Sequence, residues 1–164
     1  MSEVINNAVN EEDAQKGRFL DFLVGTEAYG IEIKYVTEII GIQSITELPE
    51  MPDYVKGIIN LRGRIIPLID IRLRFALEPK PYDDRTCVIV VDIGGFSYGL
   101  IVDSVAEVLT IPDEEISPLP GLNTISGNRF VKNIGKTPSG IVLILDCEKL
   151  LSDDVMGELA DIGA

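Results

Sequence analysis

The chain has 164 residues, of which 46% are hydrophobic, and its formal net charge of −13 comes from 27 acidic against 14 basic side chains. This charge argues against binding to nucleic acid, which depends on neutralising phosphates with Lys and Arg, and against adhesion to an anionic membrane surface. No apolar stretch approaches the roughly 18 to 20 residues of a membrane span, so we expect no direct membrane insertion. The length suits one domain or two small subdomains.

Missing functional groups exclude several classes of enzyme. The chain has no histidine, which removes the commonest general base, the usual nucleophilic triads and most zinc sites. It contains no phosphate-binding loop or dinucleotide motif, and no carboxylate pair stands out. Cys87 and Cys147 have no metal-type spacing and lie in or beside apolar runs, which predicts free, buried thiols in a cytoplasmic protein. We therefore expect no catalysis, no cofactor and no metal.

The first half of the chain reads as a polar tail followed by strands. Residues 1–16 are polar and without period, which predicts a flexible N-terminal tail. An apolar run over 19–24 predicts a strand, and the alternation of Tyr29, Ile31 and Ile33 predicts a second one. Ile33, Val36 and Ile40 fall at helical spacing, which predicts a short helix between strands.

The segment 57–71 predicts a hairpin. Residues 57–61 and 64–71 read as two strands, with Arg62 and Gly63 at the bend. Pro67 has no amide proton, so we expect its strand to be an edge strand or to be bulged at that point. The bend is unusual because it places positive charge between apolar runs in a strongly acidic chain.

The second half repeats the pattern of the first. After a linker near 78–81, strands are predicted at 86–93, 98–102 and 105–111, then an irregular loop over 116–122, and a strand pair over 127–134 and 140–145. From Cys147 the apolar residues fall at helical spacing, which predicts an amphipathic C-terminal helix and tail over 147–164.

These elements form an internal sequence repeat. Tyr29-Gly30-Ile31 recurs 69 residues later as Tyr98-Gly99-Leu100, and Glu38 recurs as Glu107. Two copies of an all-β unit, each too small for a comfortable core of its own, should share an apolar interface. We predict two interleaved subdomains, approximately 17–80 and 84–146, within one folded region over 17–151.

Two charged residues are candidates for binding a partner protein. More apolar residues surround Glu38 than one strand face can bury, and an apolar surface rimmed by charge is typical of a binding site. Arg62 is either a solvated turn residue or a binding residue; arginine is enriched at binding hot spots, and Gly57 and Gly63 would let a partner backbone approach. Glu107 and Arg64 are interpreted as ordinary solvated charges.

The segment Gly57-Ile58-Ile59-Asn60-Leu61-Arg62-Gly63, followed by Ile66-Pro67-Leu68-Ile69-Asp70, resembles the signature of the CheW family of chemotaxis coupling proteins. Residues 29–33 and 36–39 also fit this family, and the resemblance runs from about Arg18 to Leu151. It implies two five-stranded small barrels around a common hydrophobic interior, with short helices between strands, and an adaptor without catalysis.

The resemblance also implies partners. Proteins of this family join the cytoplasmic tips of methyl-accepting chemoreceptors to the regulatory domain of the histidine kinase CheA, including in ring assemblies. By position, the kinase-binding residues would be Val36, Glu38, Ile39 and Gly57, and the receptor-binding residues Asn60, Leu61, Arg62 and Gly63. A second kinase contact would include Leu119 and Leu122, although Leu122 replaces an aromatic residue expected there.

Three other interpretations stay open. The same module occurs in CheV proteins, fused to a response-regulator domain, and inside the kinase; a full-length chain of this size would fit the stand-alone coupling protein. A barrel that binds a peptide or a small ligand, without a kinase, also fits the apolar surplus over 36–42. An enzyme would need a pocket with converging carboxylates.

Overall fold

The computed structural model describes residues 16–119 and 128–151. Within them strands are the main secondary structure and the helices are few and short, so the predicted all-β class is confirmed. The strands are β1 (Arg18–Val24), β2 (Glu27–Glu32), β3 (Val36–Gly41), β4 (Val55–Leu61), β5 (Arg64–Asp70), β6 (Cys87–Ile93), β7 (Phe96–Val102), β8 (Ser104–Thr110), β9 (Ile116–Pro118), β10 (Val131–Thr137) and β11 (Gly140–Leu145). The helices are α1 (Ile71–Arg74) and α2 (Cys147–Leu150), with 3₁₀ turns at Ile33–Tyr35, Asp113–Glu115 and Asn128–Phe130.

Some predicted elements fall partly outside these residues. The predicted tail over 1–16 lies outside them except for its last residue. Of the predicted helix over 147–164, the structure describes the first turn, which is α2, and Leu151 after it. Asp146 caps this turn, because its side chain accepts a hydrogen bond of 3.0 Å from the amide of Lys149.

The strands form two sheets that exchange strands between the two sequence copies. The first sheet has the order β8-β1-β2-β11-β10-β9, and the second has the order β3-β6-β7-β5-β4. All neighbours pair antiparallel except β2 with β11 and β5 with β7. These two parallel contacts join one copy to the other, so each sheet contains strands of both copies. The first sheet has six strands rather than the predicted five because β9 adds a short one.

Three apolar clusters fill the molecule. The largest lies between the sheets and includes Phe22, Ile31, Ile69, Tyr98 and Leu100. A second cluster, which we call the second-sheet core, is formed by Ile59, Leu61, Ile66, Leu68, Val88, Val90 and Ile101. A smaller third cluster in the first sheet is formed by Phe19, Ile111 and Ile144. The shared interior predicted from the repeat is the cluster between the sheets.

The second sheet curls so that its two edges approach each other. Strands β3 and β4 are at opposite edges, yet Ile40 and Ile42, at and after the end of β3, pack against the second-sheet core. Ile45 also packs there, and Thr46 exchanges backbone hydrogen bonds of 2.9 Å with Ile58 of β4. This curl encloses the second-sheet core and brings β3 close to the β4–β5 turn.

The short helix predicted from Ile33, Val36 and Ile40 is present only at its start. The chain makes one 3₁₀ turn at Ile33–Tyr35 and then enters β3. Three apolar residues at helical spacing cannot distinguish a helix from an edge strand, and β-branched residues favour the strand. Burial alternates along β3, but a half-buried position holds Glu38 and an exposed one holds Ile39, so the sequence lacks the alternation of apolar and polar residues that would identify a strand.

The expectation for Pro67 is also wrong. Strand β5 lies inside the sheet, between β4 and β7, and the register shift of the β4–β5 pair is at Val55 and Gly57. Ile58, which is opposite Pro67, directs both backbone groups to Thr46, so this pair exchanges no ladder hydrogen bonds. The ladder to β7 begins one residue later, at Leu68. Pro67 therefore occupies an interior position that does not require its missing amide proton.

A candidate protein-binding surface on the second sheet

The β4–β5 turn is a two-residue hairpin with a defined shape. Leu61 pairs with Arg64, and the two residues between them, Arg62 and Gly63, have φ angles of 52° and 86°. Positive φ at both positions is the type I′ pattern that matches the twist of a hairpin. Asn60 supports the turn, because its side-chain oxygen accepts a hydrogen bond of 2.8 Å from the Gly63 amide. The hydrogen bond between Asn60 and Gly63 thus stabilises a turn in which Arg62 has a left-handed backbone conformation.

Arg62 is not a free turn arginine. Its side chain is 68% exposed, and its guanidinium group donates a hydrogen bond to the carboxylate of Glu38, whose side chain is 31% exposed. Glu38 lies on β3, 24 residues earlier in the chain. The residue assigned to the receptor and the residue assigned to the kinase therefore touch each other. By the resemblance alone, these two residues belong to separate surfaces.

The remaining residues assigned to the turn have different environments. Asn60 and Gly63 are exposed, but Leu61 is buried in the second-sheet core. Leu61 therefore anchors the turn from inside and presents no free side chain to a partner.

Strand β3 offers an exposed edge beside this turn. It has one neighbour in the sheet, β6. Ile39 is 43% exposed, and Val36 is half-buried against the cluster between the sheets. The Thr37 side chain donates a hydrogen bond of 3.1 Å to the carbonyl of Val90, which fixes a bulge where β3 shifts register against β6. Val36, Glu38 and Ile39 are thus gathered on one short edge strand.

Gly57 is buried, and the chain itself fills the space beside it. A Cβ atom at this position would lie 2.1 Å from the carbonyl oxygen of Thr46, and the φ angle of Gly57 is 143°. Glycine is required here so that the segment with Ile45 and Thr46 can cross β4 closely. The argument that Gly57 leaves room for a partner backbone is therefore wrong, and its place in the kinase-binding set remains a prediction from the resemblance.

A cleft of about 440 Å³ opens beside the turn. It is lined by Gln43, Ser44, Thr46, Ile58, Ile59, Asn60 and Ile65. These side chains are apolar, amide or hydroxyl groups, and none of them is ionisable at neutral pH. The lining can contact apolar or uncharged polar groups, but it supplies no carboxylate pair for acid–base chemistry.

The second predicted kinase contact lies elsewhere. Leu119 follows β9 of the first sheet, is half-buried and packs against the cluster between the sheets. Leu122 lies outside the described residues. The structure therefore groups Val36, Glu38 and Ile39 with the Arg62 turn on the second sheet and places Leu119 after a strand of the other sheet.

Other titratable groups add no catalytic feature to the described part of the chain. Burial raises the pKa of the Cys147 thiol to about 12, with the charge of Glu32 adding to the effect, so this thiol is protonated at neutral pH. Cys87 is half-buried, and both thiols are free. Among residues 16–119 and 128–151, no three His, Cys, Asp or Glu side chains are placed to hold a metal ion. No helix in this part is long and apolar enough to cross a membrane.

The first sheet carries a different arrangement at the equivalent position. Glu107, the counterpart of Glu38, lies opposite Asp21 of β1. Burial raises the pKa of Asp21, and the charge of Glu107 raises it further. Here two carboxylates face each other, whereas on the second sheet a carboxylate faces an arginine. The β10–β11 turn, which corresponds to the Arg62 turn, contains Pro138 and Ser139 and no cation.

Residues near the Arg62 turn have contacts and exposure that were not predicted from the sequence. Arg64 was interpreted as an ordinary solvated charge, but its guanidinium group donates a hydrogen bond to the Ser97 hydroxyl of β7. Ile65 and Phe96 are large apolar side chains that remain 38% and 37% exposed. No signal in the sequence identifies this group, because the turns come together only through the parallel pairing of β5 with β7, which brings the β4–β5 and β6–β7 turns to one end of the sheet.

Comparison with known proteins gives a consistent result. The family model described as a CheW-like domain matches residues 18–155. The chain is 39% identical over 138 residues to the chemotaxis protein CheW of Klebsiella aerogenes, covering 84% of this chain and 83% of that protein. It is 34% identical over 145 residues to the chemotaxis protein CheW of Helicobacter pylori, covering 88% and 87%.

A solved structure is similar over most of the fold. The crystal structure of the scaffolding protein TtCheW from Thermoanaerobacter tengcongensis superposes with a TM-score of 0.78 at 38% sequence identity. The match covers 84% of this chain and 94% of that protein.

Proposed function

The chain belongs to the CheW family, and on this basis we propose that it is a non-catalytic coupling protein that links membrane chemoreceptors to a histidine kinase of the CheA type. Its relatives are chemotaxis proteins, and its structural neighbour is a scaffolding protein. The observation that carries the proposal is the contact between Glu38 and Arg62. This contact supports the proposal because the strand predicted to bind the kinase lies directly beside the turn predicted to bind the receptor.

The kinase would bind the exposed edge of β3. Val36 and Ile39 supply apolar surface, and Glu38 supplies charge. An edge strand presents unpaired backbone groups as well, so the regulatory domain of the kinase could add a strand or pack its own barrel edge there. Gly57 would act indirectly, because it allows the segment with Thr46 to cross β4 and complete the barrel beside this edge.

The receptor tip would bind at the β4–β5 turn. Asn60 and Gly63 define the turn, Leu61 anchors it in the core, and Arg62 is presented outward in a fixed backbone conformation. Arginine supplies a planar fork of donors that suits carbonyl and carboxylate groups on a partner. The fixed turn reduces the ordering that binding requires.

Coupling would arise because both surfaces belong to one curled sheet. A partner that draws Glu38 into a contact of its own releases Arg62, and a partner that draws Arg62 away exposes the charge of Glu38. The two binding surfaces would thus stay at a fixed distance from each other on one rigid sheet. A change in receptor conformation would therefore move the coupling protein together with the bound kinase. The proposed location is the cytoplasm, at receptor arrays, and the surface at Leu119 and Leu122 would add a second kinase contact in ring assemblies.

Reconstitution tests this function. The purified chain is combined with a CheA-type kinase and membranes containing a methyl-accepting receptor, and kinase autophosphorylation is measured with and without attractant. We expect receptor control only when the chain is present. Arg62→Ala should weaken receptor binding by about 2 kcal/mol, the size of a hot-spot residue, or roughly 30-fold in Kd, and should leave kinase binding unchanged.

The matched control is Arg85→Ala, which removes an exposed arginine from the linker before β6. It should retain full receptor control. Full receptor control in a folded Arg62→Ala variant would show that the turn does not have this role.

The cleft beside Asn60 supports a second candidate, a barrel that binds a small ligand or a free peptide. Native mass spectrometry of the chain purified from its source distinguishes the two functions. A retained small molecule, together with no binding to the kinase domain, would favour this candidate.

A further inference from the structure

Strand β3 reverses the faces of its side chains at Thr37. Its pairing with β6 shifts register between Val36 and Glu38, so Thr37 is an extra residue with no partner on β6. Val36 packs against the cluster between the sheets, whereas Ile40 packs against the second-sheet core. Residues four apart in a regular strand point to the same face, so the extra residue accounts for the reversal. Glu38, two residues before Ile40, therefore lies on the face of the second-sheet core.

This bulge brings Glu38 to the Arg62 turn. Leu61, which precedes Arg62, is buried in the second-sheet core, and the Arg62 guanidinium group donates a hydrogen bond to the carboxylate of Glu38. In a regular strand Glu38 would share the face of Val36 and point away from that core. Ile39, on the opposite face from Glu38, is 43% exposed. The placement of both side chains on the edge of β3 thus depends on the bulge.

The Thr37 side chain holds the bulge against the neighbouring strand. Its hydroxyl donates a hydrogen bond of 3.1 Å to the backbone carbonyl of Val90, which is the residue opposite Glu38. Because β3 is at an edge of the sheet, its position depends on its contacts with β6. The hydroxyl supplies such a contact at the residue that the register of the two strands skips.

The second sequence copy contains the equivalent bulge without this hydrogen bond. Ala106 lies 69 residues after Thr37 and is skipped in the pairing of β8 with β1, which shifts register at this point. Its methyl side chain has no hydrogen-bond donor. Strand β8 is also at an edge of its sheet, and it keeps the bulge. The bulge as such therefore does not require a hydroxyl, and the hydrogen bond of Thr37 is specific to the edge that carries Glu38.

We propose that Thr37 is a positioning residue for the kinase-binding edge: its hydroxyl fixes the bulge of β3 and thereby holds Glu38 beside Arg62. The inference rests on the proposed function, because this edge is where the kinase is proposed to bind. An edge that is already fixed needs less ordering on binding, so the hydroxyl raises the affinity for the kinase without contacting it.

The test measures binding of the regulatory domain of a CheA-type kinase to variants of the full chain by isothermal titration calorimetry. Thr37→Val removes the hydroxyl and keeps the branched shape, and it should raise the Kd about fivefold, within the range for one lost hydrogen bond. Thr37→Ser keeps a hydroxyl and should bind like the unmodified chain. Thr37→Ala, which copies Ala106, is a second variant without the hydroxyl and should resemble Thr37→Val.

Two further measurements distinguish positioning from a general effect on the fold. In the free chain, the amides of Glu38 and Ile39 should exchange faster in Thr37→Val, and this difference should disappear in the complex with the kinase domain. When Glu38→Gln is already present, Thr37→Val should cause a smaller loss of kinase affinity than it does alone, because the carboxylate that the bulge positions is absent.

The matched control is Thr137→Val. The Thr137 hydroxyl donates a hydrogen bond of 2.8 Å to the carbonyl of Gly140, at the β10–β11 turn of the first sheet. The substitution therefore removes the same kind of bond from a site that is not on β3. Kinase binding should be unchanged in this variant.

The outcomes separate the inference from the function on which it rests. If Glu38→Gln loses the kinase domain while Thr37→Val and Thr37→Ala bind like the unmodified chain, the inference is overturned and the proposed function stands. An equal loss in Thr37→Ser, or a loss of the same size with and without Glu38, also overturns the inference alone. If both variants without the hydroxyl fail to fold, Thr37 serves the fold and the inference is overturned. If the unmodified chain binds no kinase domain, the inference and the proposed function are both overturned.

Discussion

The contact between Glu38 and Arg62 explains function better than stability. Exposed ion pairs contribute about 0 to 1 kcal/mol to folding, because solvent screens them and two long side chains must be ordered. Arg62 also adopts a left-handed backbone conformation that favours glycine or asparagine. We therefore expect substitution of Arg62 to have little effect on folding, and we expect its effect on binding to test the proposed receptor contact.

A double-mutant cycle tests whether the pair separates two binding sites. Glu38→Gln should weaken binding of the kinase domain and leave receptor binding unchanged or slightly tighter, because Arg62 is released. Arg62→Gln should do the reverse. For the free energy of unfolding, the coupling between the two changes should stay below about 1 kcal/mol, as for other exposed pairs. Isothermal titration calorimetry with each partner, and urea unfolding, give these values. Equal loss of the same partner in both variants would mean that the pair acts as a single site.

Much of this turn could be predicted from the residues that form it. The sequence Asn60-Leu61-Arg62-Gly63 contains the glycine for positive φ and the asparagine that accepts from its amide. The ionic partner could not be predicted, because Glu38 is 24 residues away and the contact depends on closure of the sheet. The hydrogen bond of Arg64 could not be predicted for the same reason, since its partner Ser97 is 33 residues away.

At the scale of elements, local patterns identified strands where residue type matches burial and failed where it does not. Strands β4 and β5 and the turn between them were predicted correctly. Strand β3 was taken for a helix because it places Glu38 at a half-buried position and Ile39 at an exposed one. Pro67 was assigned to an edge or a bulge because a missing amide proton disfavours an interior strand. The backbone of the opposite residue, Ile58, is hydrogen-bonded to Thr46 instead, and this tertiary contact could not be predicted from the sequence.

A second ionic contact ties the sequence copies together. Arg72 of α1 forms hydrogen bonds of 2.8 and 2.7 Å to the two carboxylate oxygens of Asp103, which lies between β7 and β8. The amide of Gly25, in the β1–β2 turn, donates a further hydrogen bond of 2.8 Å. Both side chains are mostly buried. Burial alone would raise the pKa of Asp103, but the hydrogen bonds from Arg72 and Gly25 outweigh it and lower the pKa.

The two carboxylates with opposite shifts should respond oppositely to pH. A lowered pKa means that Asp103 stabilises the fold above its ordinary pKa of 3.8 and loses this contribution as the pH falls through its lower folded value. Asp103→Asn should therefore cost about 2 kcal/mol near pH 7, the range for hydrogen bonds to charged groups, and less in acid. The raised pKa of Asp21 has the reverse effect: its favourable contribution is present below 3.8 and is lost as the pH rises through its folded value.

Asp21→Asn should consequently stabilise the chain at pH 7 and have little effect near pH 3.5. Urea unfolding of Asp103→Asn and Asp21→Asn, each compared with the unmodified chain at pH 7 and near pH 3.5, measures these changes in the free energy of unfolding. A destabilised Asp21→Asn variant at pH 7 would show that the ionised carboxylate has a favourable contact and that the proposed conflict with Glu107 is absent.

At the scale of the whole molecule, the two sheets are built from related sequence copies but expose different residues at their equivalent turns. The 69-residue repeat predicted two related halves, and the parallel contacts between β2 and β11 and between β5 and β7 show how they interleave. The exchange of strands itself could not be predicted, because the repeat gives the order of elements along the chain and not their neighbours. The β4–β5 turn of the second sheet contains Arg62, whereas the equivalent turn of the first sheet contains Pro138 and Ser139. The two sheets therefore differ at this equivalent position.

The most direct test of the central claim is whether one molecule of the chain holds both partners at once. The receptor cytoplasmic fragment, assembled on vesicles, is mixed with the kinase regulatory domain, and the vesicles are sedimented with and without the chain. The account predicts that the kinase domain sediments in proportion to the chain added, and that Arg62→Ala leaves a soluble complex of chain and kinase domain. A kinase domain that displaces the chain from the vesicles, or that sediments equally without it, would contradict the account.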